Sequence, residues 1–238
     1  MKDRDVNNDE ISSLGRLLYN KIPKEFGSYA IIGRRNVGKS TYAIKATMEA
    51  LRKTGLSEEE AWEKALGCVC FTIPEVIDCL RSALTAKRET GKKLEVIIWD
   101  DLRVHASGSK YFTEFRLVEQ LRGLFDTIKT LVNNVILTSP SMIGVLGFLK
   151  TYDDYEIRIH HPSNLGERKR LAKGYQWNTN PSGQRRIYRK FRDVYVCRMP
   201  TNIYIRYMHR RDDATEKALF GVEKIYGEVE EEKIERGY

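Results

Sequence analysis

Eight consecutive residues, Gly33-Arg34-Arg35-Asn36-Val37-Gly38-Lys39-Ser40, satisfy the pattern G-x-x-x-x-G-K-[ST] at every fixed position. This spacing suits phosphate binding. Gly33 and Gly38 let the backbone turn so that successive N–H groups face inward. Those donors and a following helix N-terminus cradle a β-phosphate. Lys39 reaches the β- and γ-phosphates as a point charge, the Ser40 hydroxyl ligates Mg²⁺, and Thr41 contacts the α-phosphate. A glycine-rich turn opening a helix is the plain structural alternative.

Two further elements carry polar groups at strand ends. Val96-Ile97-Ile98-Trp99-Asp100-Asp101 is an apolar strand ending in two carboxylates. Asp100 would hold Mg²⁺, directly or through water, and Asp101 would polarise an attacking water. Thr138-Ser139 ends another apolar run. There the pair would read the γ-phosphate and orient water, or simply cap a helix before Pro140.

These groups need a scaffold that brings strand ends together. Gly27–Ile32 reads as a buried strand before the phosphate loop, and Lys39–Lys53 as the helix after it, stopped by Gly55. Ser57 and Glu60 form a capping box opening a helix through Leu66. A strand over Cys68–Ile73 and a helix from Pro74 to Gly91 follow. Next come a strand at Leu94–Trp99, a helix over Phe112–Val132 and a strand at Asn134–Thr138. A helical stretch over Met142–Lys150 and a strand at Tyr155–Ile159 complete the alternation. It specifies an α/β fold, a parallel-sheet P-loop NTPase core over 27–160 with helices on both faces. Residues 1–26 are a polar lead-in with one short helix. Residues 161–238 form a basic part, β-rich and then helical, with an acidic tail around Glu228–Glu235.

A strand separates the phosphate-loop strand from the acid-bearing strand in sequence, and a polar residue ends the next one. That layout indicates the additional-strand P-loop ATPases. The guanine-reading N-K-x-D motif is absent, so ATP is the expected nucleotide.

The chain has 238 residues and a formal charge of +8, from 41 Lys and Arg against 33 Asp and Glu. That size buries a core without staples, and that charge favours a polyanionic partner. Residues 166–192 hold one acid, Glu167, among many bases. Arg168, Lys169, Arg170, Lys173, Arg185, Arg186, Arg189, Lys190 and Arg192 cluster with Tyr175, Trp177, Tyr188 and Phe191, bases for phosphates and rings for stacking, and all of these bases except Lys173 and Arg192 are the candidate DNA contacts. The plain alternative is a solvated hairpin around the turn at Pro181-Ser182-Gly183, its rings facing the core. His105, in the loop Arg103–Lys110, is a further candidate contact, and Lys87, Arg88, Lys92 and Lys93 make a solvated basic face. Cys68, Cys70, Cys79 and Cys197 have no zinc-site spacing and read as buried thiols in a reducing compartment. No apolar run reaches the length of a membrane span, and the polar start is no signal peptide. The expected location is the cytoplasm, as a soluble protein.

The segments CFTIPEVIDCLRSAL, LEVIIWDD and NVILTSP resemble the AAA+ core of replication initiators and helicase loaders over roughly residues 27–160. The resemblance implies an ATP-hydrolysing, Mg²⁺-dependent protein that acts on DNA in replication initiation or helicase loading. It would assemble with itself in ATP and meet a helicase or another replication or packaging protein. No arginine-finger box follows Ser139, and Lys150, Arg158 and Arg168 are the weak substitutes. A basic β-rich segment replaces the helical lid and helix-turn-helix. A short ATPase of that kind also resembles viral and mobile-element ATPases, including DNA translocases and genome-packaging or virion-assembly motors. A non-hydrolysing nucleotide switch that recruits partners is the third expectation.

Overall fold

The computed structural model describes residues 11–102, 115–142, 149, 154–179, 182 and 184–235. The loop with His105, Lys150, most of the Met142–Lys150 stretch, and Pro181 and Gly183 lie outside the described residues.

The helix of the lead-in is α1, Ser13–Lys21, started by the Ser12 side chain accepting from the Gly15 amide. It is no loose appendage. Leu14 and Leu18 are fully buried, and the Asn134 amide donates to the Leu18 carbonyl at 3.1 Å. Strand β1, Gly27–Ile32, leads into the loop, and helix α2, Lys39–Lys53, leaves it. Helix α3, Glu58–Gly67, has both bonds of the expected Ser57–Glu60 capping box.

Strand β2 is shorter than the sequence suggests, Val69–Cys70 instead of Cys68–Ile73. The reason is a second cap. Thr72 accepts from the Glu75 amide, while the Glu75 carboxylate accepts from the Phe71 amide at 3.1 Å. Helix α4 therefore starts at Ile73 and runs to Thr90, where Gly91 adopts a left-handed conformation. Strand β3 is Leu94–Trp99. Helix α5, Phe115–Thr127, also stops earlier than expected. A 3₁₀ turn at Ile128–Thr130 follows, and Val132 already belongs to strand β4, Val132–Ser139, paired with Leu94. The Lys87 and Lys93 ammonium groups are not merely solvated. They donate to the Thr130 and Lys129 carbonyls of that turn, at 2.7 and 2.8 Å.

Strand β5 is Tyr155–His160, β6 is Lys169–Thr179 and β7 is Arg185–Val196. The sheet order is β2-β3-β4-β1-β5-β6-β7, parallel through β5 and antiparallel after it. β4 lies between the loop strand and the acid strand, which is the additional-strand arrangement of the P-loop ATPase fold. Both faces carry helices. Val135 and Leu137 join the core cluster of α4 and α5, while Asn134, on the alternate face, reaches α1.

The expected boundary at residue 160 falls between paired strands, because β6 and β7 continue the core sheet. The chain divides into two compact units, Met1–Met199 and Pro200–Tyr238. The second unit consists of helix α6, Thr201–Glu235. Among the described residues, no helix is long and apolar enough to cross a membrane.

Candidate functional site

The parallel strands β1, β3 and β4 end at one edge of the sheet, and their following residues meet there. The loop between β1 and α2 is held from several sides. A Cβ on Gly33 would lie 2.8 Å from the Ile159 carbonyl of β5, so only glycine fits. Asn36 and Gly38 both adopt positive φ, 59° and 97°. Gly38 is the N-cap of α2. Val37 is buried beneath the loop, whereas Arg34, Arg35 and Asn36 are at least partly exposed. The Lys39 side chain crosses the loop, and its Nζ donates to the Gly33 and Arg34 carbonyls at 3.1 and 3.0 Å.

Ser40 and Asp100 meet as their types predict. The Ser40 hydroxyl donates to Asp100 Oδ1 at 2.8 Å. Asp100 is fully buried. A hydroxyl and a carboxylate at this distance form the hard oxygen donor set that suits Mg²⁺, which keeps waters and takes phosphate oxygens as its other ligands. The residues present therefore fit a Mg²⁺–nucleotide complex.

Thr138 joins the two acids. Its hydroxyl donates to Asp100 Oδ1 and accepts from the Asp101 amide at 3.1 Å. Asp101 sits at φ 49°, a left-handed conformation that costs a non-glycine residue on the order of 1 kcal/mol. The Thr138 bond holds the backbone in that conformation and turns Asp101 out of the strand. Ser139 behaves differently. Its hydroxyl donates to the Ser141 carbonyl at 2.7 Å and accepts from the Ser141 amide, a local turn at Pro140.

The basic residues do not form one cluster. In the β6–β7 hairpin Arg170 pairs with Tyr195 at one end, and Arg186 with Asn178 near the other. Arg168, Lys169 and Arg170 thus stand apart from Arg185 and Arg186, with Arg189 and Lys190 between them. Lys190 is the extra residue where the register shifts, at Gly174/Tyr175. The Arg170 guanidinium donates to the Glu167 and Lys169 carbonyls. Phe191 faces the core, its ring covering Gly174 so closely that a Cβ there would collide with it. Of the arginine-finger substitutes, Arg158 is committed locally. Its Nε donates to Glu156 at 2.6 Å, and it lies 4.9 Å from the Tyr175 ring centre.

Sequence reasoning missed the support from β7. The Tyr195 hydroxyl donates to the Gly38 carbonyl at 2.9 Å. Its ring lies 4.7 Å from that of Tyr42. Asp193 accepts from the Tyr42 hydroxyl and from Ser13. Burial, then the Asp193 carboxylate, pushes the Tyr42 hydroxyl well above its ordinary pKa. The alternation of Phe191, Asp193 and Tyr195 signals one buried face, but nothing local says that this face meets the loop.

No family model matches the chain. The uncharacterized protein B-251 of Sulfolobus spindle-shape virus 1 is 27% identical over 205 residues, covering 84% of this chain and 79% of that protein. Three solved structures are similar at low identity. The KaiC-like protein PH0186 of Pyrococcus horikoshii OT3 is 14% identical over 78% of this chain and 99% of its own, with a TM-score of 0.42. The RadB recombinase is 14% identical over 70% and 90%, with a TM-score of 0.40. The flagellar accessory protein FlaH of Methanocaldococcus jannaschii is 18% identical over 76% and 96%, with a TM-score of 0.40.

Proposed function

We propose that this chain is a Mg²⁺-dependent ATPase that acts on DNA in the replication of a virus or mobile element, as an initiator or helicase loader. The observation that carries the ATPase reading is the Ser40–Asp100–Thr138–Asp101 chain of contacts beside the phosphate loop. Lys39 would leave its loop carbonyls to meet the β- and γ-phosphates. Ser40 and Asp100 would hold Mg²⁺, which would supply charge neutralisation for the phosphates. Asp101 would accept the proton of the attacking water, with Thr138 fixing its backbone. Thr138 and Ser139, at the end of β4, would read the γ-phosphate, and Thr41 would contact the α-phosphate. The 27% identical viral protein supports the viral setting.

The basic segment supports DNA as the partner, through Arg168, Lys169, Arg170, Arg185, Arg186, Arg189 and Lys190. A second reading, a DNA translocase or packaging motor, is favoured by the hairpin's place within the ATPase sheet itself. ATP turnover with and without single- and double-stranded DNA, with native mass in ATP, tests these readings. DNA-stimulated turnover in an ATP-dependent assembly is expected. Directed movement on duplex DNA would select the motor. Nucleotide binding without hydrolysis would select the non-hydrolysing switch and overturn the ATPase.

A further inference from the structure

Strand β7 presents different chemistry on its two faces. Asp193, Tyr195 and, just past the strand, Cys197 face α2 and the phosphate loop. Asp193 accepts from the Ser13 amide at 2.8 Å and from the Ser13 and Tyr42 hydroxyls, each at 2.6 Å. Tyr195 holds the Gly38 carbonyl. Cys197 stands so near Gly38 that a Cβ there would collide with its Sγ. Three alternate residues thus grip the start of α2.

Arg192 lies on the opposite face. It pairs with Lys173, and Lys173 pairs with Arg158 on the neighbouring strand. Directly paired residues share a sheet face, so three cations stand in one cross-strand row. Like charges directly opposite each other destabilise a sheet. Glu156 relieves Arg158, and the Tyr175 ring supports it. Three cations in line across adjacent strands match the charge of a line of phosphates. Lys173 and Arg192 belong to the basic segment legible in the sequence, and the strand pairing adds Arg158 and sets the three in line.

We propose that a single-stranded nucleic-acid backbone lies along Arg158, Lys173 and Arg192, and that β7 transmits its presence to the phosphate loop, with Tyr195 as the positioning residue. The inference rests on the reading of the chain as a DNA-dependent ATPase. Arg192 and Tyr195 are near neighbours on one strand, and the ladder ties both to β6. A displacement of β7 under Arg192 therefore moves the Gly38 carbonyl and the N-terminus of α2.

The test is a thermodynamic square on the full chain, with a labelled oligothymidine of about twenty nucleotides and a non-hydrolysable ATP analogue with Mg²⁺. In the wild type each ligand should change the affinity of the other by the same factor, about 5–150-fold. Tyr195→Phe keeps the ring packing and removes the bond to Gly38. It should bind the oligonucleotide alone as the wild type does, with the mutual effect cut at least about threefold. Lys173→Gln with Arg192→Gln should weaken oligonucleotide binding and lower its log–log salt slope by about 1.4, the single-strand value for two lost phosphate contacts. Nucleotide affinity without DNA should stay unchanged in that variant. Hydrogen exchange of the wild-type amides at 33–40 should change on adding the oligonucleotide, which checks the link without a substitution. An undiminished mutual effect in Tyr195→Phe, an unchanged salt slope in the double variant, or unchanged exchange at 33–40 would overturn the proposal. A wild type that binds both ligands with no mutual effect would overturn this inference alone. One that binds nucleotide and no DNA would overturn the nucleic-acid reading with it.

Discussion

The Ser40 hydroxyl stands 2.8 Å from Oδ1 of Asp100. One group opens α2 and the other follows β3, and β4 and β1 bring them together through their parallel registers. A hydroxyl and a fully buried carboxylate so placed serve little purpose in a plain turn. A buried carboxylate costs several kcal/mol of desolvation unless its partners compensate. Ser40 and Thr138 supply part of that compensation, and a bound cation would supply more.

Lys39→Ala removes the cation proposed to meet the phosphates. The loss of its charged hydrogen bonds, worth about 1.5–3 kcal/mol, should weaken ATP binding roughly 10–150-fold and abolish productive turnover. Calorimetric titration with Mg²⁺–ATP checks it. Normal affinity and turnover would remove the phosphate-loop assignment.

Asp101→Asn should keep ATP binding and slow hydrolysis by roughly a hundredfold or more, the usual range for loss of a general base. Asp100→Asn should instead weaken the Mg²⁺-dependent part of binding. Single-turnover rates over a Mg²⁺ series separate the two. An Asp101→Asn chain that hydrolyses at the wild-type rate would give the water-activating role to another group.

The phosphate loop, both acids and the strand–helix alternation are legible in the sequence because each is a local pattern: fixed spacing, a polar strand end, a capping box at Ser57. The Thr72–Glu75 cap is equally local, yet the apolar run CVCFTI hides it and makes β2 look too long. The role of Thr138 becomes plain only when the parallel registers set β4 beside β3. What the sequence could not show depends on long-range pairing. Arg158, Lys173 and Arg192 fall on three strands with no common spacing, and Tyr195 meets Gly38 only because β7 folds back over β6. Arg170 and Arg186, which read as one basic cluster, end up at opposite ends of a hairpin.

Gly174→Ala should destabilise the hairpin. The new methyl would run into the Phe191 ring, and overpacking of this kind costs about 1–3 kcal/mol. For a chain of this size the melting temperature should fall by roughly 2–12 °C. Phe191→Leu in the same background should recover part of the loss in a double-mutant cycle. An unchanged melting temperature would contradict the packing of Phe191 on Gly174.

Glu49 gives a pH signature. Burial raises its pKa from the usual 4.5, with the Ser12 hydroxyl and amide and Lys45 opposing and Asp193 assisting. The native state then binds more protons than the unfolded chain, so stability falls as pH rises from about 4.5 through the raised native value. Glu49→Gln should erase that slope while keeping an acceptor for Ser12. Thermal unfolding over a pH series should show the wild type losing ground to the variant with rising pH, then running parallel. A constant difference throughout would mean that Glu49 titrates normally.

The two basic ends of the hairpin should be separable in DNA binding. Arg170 and Arg186 are offset by eight residues along the ladder, from position 170 to 178, or roughly 26 Å at about 3.3 Å per residue. A stacked single strand needs about eight nucleotides to cover that distance at about 3.4 Å each. Replacing Arg168, Lys169 and Arg170 by Ala, or Arg185, Arg186, Arg189 and Lys190 by Ala, should each weaken binding of a strand of about twenty nucleotides. Its log–log salt slope should shrink by about 0.7 per lost phosphate contact, the single-strand value. A strand of about four nucleotides reaches only one end, so only one of the two variants should affect it. Nucleotide affinity without DNA should not change in the second variant, whose residues lie far from the loop along the hairpin. Affinities across a salt series for both strand lengths, with folding checked by circular dichroism, decide the matter. If neither variant alters the slope, these seven bases do not contact phosphates, and the net charge of +8 serves another partner.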